Sequence, residues 1–212
     1  MSIQAKICGL STPQALDAAI KGGASHVGLV FFARSPRNVT AEQAAALAAR
    51  VPDPVKTVGL FVDPSSDDLE RILTQIPLDI IQLHGEETPD TVARIAAAHR
   101  RDVWKAIPVR TAADRDTGAR YAGAAALILY DAKPPAGAVL PGGNGIRFDW
   151  TLLRNHRPAL PWALSGGLDP DNVAEAIRIT NAPLVDVSSG VETAPGIKDV
   201  DKIAAFLKAA SL

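Results

Sequence analysis

The sequence has one cysteine, so no internal disulfide can form, and a reducing compartment is the natural setting. No apolar run approaches the roughly 20 residues that span a bilayer, so no membrane segment is expected. The N-terminal residues lead directly into a strand-like stretch, without the charged and apolar regions of a signal peptide, and a cytoplasmic protein is expected. Lys and Arg number 22 against 23 Asp and Glu, with no basic stretch and no like-charge block, which argues against a nucleic-acid partner. The four histidines, His26, His84, His99 and His156, lack ligand spacing and have no cysteine pair beside them, so no metal is expected. Aromatic residues make up only 5% of the chain while alanine is abundant, a composition suited to short, closely packed helices.

What is present is an alternation. Eight apolar runs read as strands: 5–9, 26–31, 57–62, 80–84, 103–109, 127–132, 162–166 and 184–188. Most are continuously apolar, as parallel strands covered on both faces are. Helical patterns lie between them. Ser11-Thr12 followed by Pro13 opens 13–21, Thr40 opens 41–50, and Ser65 or Ser66 opens 67–75. Thr88-Pro89 opens the next helix, a weaker pattern covers 114–121, a short one 148–154, and the last two cover 171–179 and 198–210. With no linker or composition shift, residues 1–212 read as one α/β domain, a small (β/α)8 TIM barrel. At 212 residues against ~250 for the usual barrel, its loops must be short. The exception is 133–145, whose insert Pro134-Pro135-Ala136-Gly137-Ala138 is a candidate lid.

Chemistry in such barrels sits at the C-terminal ends of the strands. Cys8 ends the first strand and is either a small buried hydrophobe or a proton-transfer group. No CxxC partner or thiol-protease context surrounds it. Lys6 is the one nearby cation in sequence, and strand alternation is expected to turn it away from the thiol. Asp131 ends the sixth strand. It reads as a partly desolvated general acid or as a carboxylate bound to Lys133 or a backbone N–H. Arg37, after the second strand, has the planar fork that grips a carboxylate, or else lies in a solvated loop with Arg34. His84 ends the fourth strand, Asp186 lies inside the eighth, and Asp63 is read as a cap for the third helix. Three glycine-containing segments occur late in the chain: Gly142-Gly143-Asn144-Gly145, Ser165-Gly166-Gly167 and Ser188-Ser189-Gly190. The last two fall where these barrels bind phosphate through backbone N–H groups. Cys8 and Asp131, on strands one and six, can face each other across the mouth.

Taken together, eight segments resemble the phosphoribosylanthranilate isomerase family over essentially the whole chain: KICGL, SPRNV, GLFVD, QLHGEE, LYDAK, GGNGIRFDW, ALSGGLDPDNV and VDVSSGVE. The glycine loop departs slightly, with GGNG where GGTG or GGSG is also familiar. The resemblance implies a cofactor-independent Amadori rearrangement of N-(5-phosphoribosyl)anthranilate in amino-acid biosynthesis, specifically that of tryptophan. It implies Asp131 as general acid, Cys8 as general base and Arg37 as the ligand of the anthranilate carboxylate. It also implies that the three glycine segments surround the phosphate. His84, Leu83 and Phe32 are further candidates for the substrate wall. The partner is then a small phosphosugar molecule, and the protein a monomer or homodimer. The alternatives are another phosphosugar barrel enzyme, such as an epimerase or a lysine-dependent synthase using Lys6 or Lys105, and a non-catalytic phosphosugar-binding protein.

Overall fold

A computed structural model of the chain describes residues 3–135, 137, 138, 140–143 and 145–211. Eight parallel strands close into a barrel in sequence order: β1 (Gln4–Cys8), β2 (His26–Phe31), β3 (Lys56–Phe61), β4 (Ile80–Leu83), β5 (Asp102–Val109), β6 (Leu127–Ala132), β7 (Trp162–Leu164) and β8 (Leu184–Val187). The seam is made by β1 against β8, with Lys6 beside Asp186 and Ile7 beside Val187. The expected runs overshoot at the mouth: Gly9, Val62, His84, Ser165, Gly166 and Ser188 lie past the strand ends, in the loops that build the site.

The helices are α1 (Pro13–Lys21), α2 (Ala41–Ala48), α3 (Ser66–Leu73), α4 (Pro89–His99), α5 (Ala112–Asp116), α6 (Val173–Thr180) and α7 (Val200–Ala210). Side chains of Thr12, Thr40, Ser65 and Thr88 accept the orphan N–H groups that start α1 to α4. Ser65, not Asp63, therefore caps α3; the Asp63 carboxylate instead accepts the Glu86 N–H at 2.7 Å. The patterns expected over 114–121 and 148–154 are not full helices. The first breaks into α5 and a 3-10 turn at Thr117–Tyr121, where Gly118 fits against the Tyr130 ring. The second is only a 3-10 turn, Trp150–Leu153, ended by Arg154 in an extended conformation, with Asn155 following at φ 59°. A hairpin not foreseen, β9 (Glu192–Ala194) with β10 (Ile197–Lys198), precedes α7.

Strand alternation divides the core in two. Val58, Ile80, Trp104, Ala106, Leu127, Leu129, Ala163 and Leu184 fill the barrel. Ile7, Leu29, Ile81, Leu83, Val103, Ile107, Ile128, Leu164 and Val187 point outward and bury the apolar faces of the helices. Two ion pairs are sealed within these layers. Lys6 donates to Asp186 at 2.9 Å inside the barrel, and Lys105 pairs with Glu87 at 3.1 Å outside it. Glu87 also accepts the N–H groups of Asp63 and Gly85. Glu87→Ala would strand the Lys105 charge and free those donors, so a loss of about 3–5 kcal/mol in unfolding free energy is expected from denaturant titration. Among the described residues, no helix is long and apolar enough to cross a membrane. None of the described His, Cys, Asp and Glu residues form a group able to hold a metal.

Candidate active site

The loops at the C-terminal rim enclose a hollow with ≈ 780 Å³ of empty space, counted out to the open rim. Its floor and walls include Cys8, Arg37, His84, Asp131, Asp186 and Ser188. Along β6, Leu127, Leu129 and Asp131 share the inward face, so the carboxyl emerges at the rim above two leucines. It is almost wholly buried: Oδ1 accepts the Ala132 N–H at 2.9 Å, and Oδ2 lies 2.9 Å from His84 Nε2. Lys133, the alternative partner, reaches Asp114 instead. Gly142 passes so close over the pair that a Cβ there would sit 2.6 Å from Asp131 Oδ2 and 2.7 Å from His84 Nε2. Gly166, at φ +85°, packs against Asp131 Oδ1 and the Ala132 backbone, where only glycine combines that backbone angle with that contact.

Across the barrel, Cys8 is 3% exposed and lines the hollow. Burial pushes the thiol up from its ordinary value, and the Lys6 ammonium is the largest opposing influence. Lys6 and Cys8 are two residues apart on one strand and share its inward face. The expectation that alternation separates them is thus corrected: a period of two returns both side chains to the same side.

Arg37 is buried rather than solvated. Its Nε and Nη2 donate to the two carboxylate oxygens of Glu192, both at 2.8 Å, and Nη2 also reaches the Gly143 carbonyl at 3.2 Å. Lys198 donates to the same Glu192 at 2.7 Å and to the Ser188 carbonyl at 2.9 Å. Burial raises the Glu192 carboxyl, but the hydrogen bonds and charges of Arg37 and Lys198 outweigh it and hold the group below the ordinary range. Nη1 makes neither of the Glu192 contacts, and a Cβ built on Gly143 would lie 2.8 Å from it. Neither Glu192 nor Lys198 was singled out in the sequence. Glu192 is 155 residues from Arg37, and no local pattern carries that distance.

Gly142, Gly143, Ser165, Gly166, Gly167, Ser188 and Ser189 all line the hollow. Asn172 fixes the loop after β7 by donating to the Gly167 carbonyl at 2.9 Å. Two of the glycines sit behind this lining. Gly190 is pressed onto the Leu168 carbonyl, and Gly145 stands nearest Ser189. Asn144, and Ala136 of the candidate lid, fall outside the described residues. Phe32, Val30, Leu60 and Val62 add apolar surface to the lining of the hollow. Leu83 does not join it. Because Gln82 points inward, Leu83 must point outward, and it is fully buried under the helices.

The family model described as N-(5'phosphoribosyl)anthranilate (PRA) isomerase matches residues 5–209. An N-(5'-phosphoribosyl)anthranilate isomerase of Rhodospirillum centenum is 58% identical over 212 residues, covering 100% of this chain and 99% of that one. The crystal structure of phosphoribosyl anthranilate isomerase from Thermotoga maritima has a TM-score of 0.88 at 35% identity, over 98% of each chain. A solved phosphoribosyl anthranilate isomerase in complex with reduced 1-(o-carboxyphenylamino)-1-deoxyribulose 5-phosphate has a TM-score of 0.83 at 34% identity, again over 98% of each chain.

Proposed function

The chain belongs to the N-(5'-phosphoribosyl)anthranilate isomerase family, and from that premise we propose how its own residues carry the rearrangement. The reaction converts N-(5-phosphoribosyl)anthranilate to 1-(2-carboxyphenylamino)-1-deoxyribulose 5-phosphate. Asp131 delivers a proton to the furanose ring oxygen as the C1–O bond breaks. The anthranilate nitrogen lone pair forms the C1=N bond of a Schiff base. Cys8, as thiolate, takes the proton from C2, and the C–H electron pair moves toward the positively charged C1=N. The resulting enolamine tautomerises to the ketone. The Schiff base is itself the electron sink, so the chemistry calls on no organic cofactor. The observation that carries this reading is that Cys8 and Asp131 lie on β1 and β6, on opposite sides of one hollow. A substrate held between them is addressed from both sides.

Arg37 binds the anthranilate carboxylate with the end of its fork that Glu192 leaves open, and the ring lies on Phe32, Leu60 and Val62. The phosphate takes the opposite side, among the backbone N–H groups of Gly166, Gly167, Ser188 and Ser189. Arg37→Met is expected to raise KM about ten- to hundredfold and to change kcat less, as loss of one charge-assisted contact does. The test of the whole reading is turnover of phosphoribosylanthranilate by the purified protein, followed as a change in anthranilate fluorescence. If Cys8→Ala and Asp131→Asn both work at the wild-type rate, the assignment of acid and base is wrong.

A further inference from the structure

A thiol is a weak base until its proton is gone, and a buried thiol holds its proton more tightly than an exposed one. The group that offsets this lies beneath Cys8. Lys6 has no exposure at all, and its ammonium donates to Asp186 Oδ1 at 2.9 Å, while Asp186 Oδ2 accepts the Ser165 hydroxyl at 3.3 Å. A charge pair inside a barrel core is expensive to bury and does not need to be there for packing, since apolar side chains fill the barrel interior elsewhere. The space around the pair is shaped for the thiol. Gly28, on the neighbouring strand, leaves the gap in which the two side chains meet: a Cβ there would lie 2.9 Å from Cys8 Sγ and 3.2 Å from Lys6 Cε.

From this placement, and resting on the reading of Cys8 as the base, we infer that Lys6 is a positioning residue: its ammonium, clamped by Asp186, is the counter-charge that makes the Cys8 thiolate attainable. The proton leaves the thiol for solvent, the thiolate forms against the Lys6 ammonium, and the same sulfur then accepts the C2 proton. Every charged group that faces the sulfur fits this account. On β8, Asp186 opposes ionisation and is itself neutralised by Lys6. On β10, Lys198 favours ionisation, and its charge is shared with Glu192. The Arg37 stem lies beside Gly9 in the next loop, with its charge paired to Glu192. Asp131 lies across the hollow, bonded to His84. The β1–β8 side therefore carries three cations, Lys6, Lys198 and Arg37, against two carboxylates, Asp186 and Glu192. One thiolate completes that balance.

Because Cys8 is the only cysteine, thiolate absorbance near 240 nm, taken as a difference against Cys8→Ala, titrates this one group in the intact protein. In Lys6→Gln the midpoint is expected to rise by about one to three pH units relative to wild type. Asp186→Asn is expected to move it the other way, because it removes the negative charge that opposes ionisation and leaves the ammonium to the sulfur. Structural damage alone would not give opposite signs, and the second variant carries the test if the first does not fold. A midpoint that stays in place in either folded variant, or two shifts of the same sign, overturns the role of Lys6. Turnover separates the two layers: a fully active Cys8→Ala would overturn the base assignment and leave the titration result standing.

Discussion

Asp131→Asn is expected to lower kcat by about 10²–10⁴-fold while KM stays within a few-fold of wild type. The amide has the shape of the carboxyl and still presents an oxygen to the Ala132 N–H, so the strand end and the Gly142 contact survive. What it cannot do is give up a proton at a cost the reaction can meet. Ring opening then depends on water in a hollow whose loop lies against this side chain. The measurement is steady-state fluorescence turnover, paired with binding of the product. A variant with raised KM and unchanged kcat would mean that Asp131 only holds the substrate.

Cys8→Ala is expected to cost about 10²–10⁴-fold in kcat/KM. The step lost is the second one, so the two variants differ in what they accumulate. Without the acid, the closed furanose persists; without the base, ring-opened Schiff base is made and returns. Deuterium from solvent should be absent from C2 of substrate recovered from the Cys8→Ala reaction. The pH response follows from the direction of the thiol's shift. The folded protein holds the proton more tightly than an exposed cysteine does, so below the midpoint the thiolate fraction grows about tenfold per pH unit. Wild-type kcat/KM should climb on the alkaline side of neutrality, and that climb should vanish in Cys8→Ala.

The barrel was readable because eight continuous apolar runs separated by capped helices have few other solutions. Strand ends were less so, since extended backbone continues past the last ladder hydrogen bond and apolarity does not mark where pairing stops. The weak helical pattern over 114–121 broke where Gly118 stands, and the short one over 148–154 stopped after one turn because Arg154 is extended. The β9–β10 hairpin did have a signal, the turn pair Pro195-Gly196, which a helix assigned from Lys198 hid. For the candidate site, Cys8, Asp131, Arg37 and His84 are legible because each stands at the end of an apolar strand or in the loop after it. Counting by two along the strands would have kept Lys6 beside Cys8 and turned Leu83 away. Glu192 lay beyond such counting, because its contact to Arg37 joins segments 155 residues apart, and Lys198, which contacts nearby Ser188 and Glu192, was covered by the helix assigned from it.

The Lys6–Asp186 pair crosses the seam between the first strand and the last, groups 180 residues apart in the chain. During synthesis Cys8 and Lys6 are among the first residues made, and Asp186, which holds the Lys6 ammonium, is among the last. A chain that has laid down seven strands already holds the thiol, the acid and the arginine, yet the thiol has no fixed ammonium beside it. On the proposed roles of Cys8 and Lys6, the electrostatic setting of the thiol is completed only with the final strand, so fraying at this seam would change the chemistry as well as the stability.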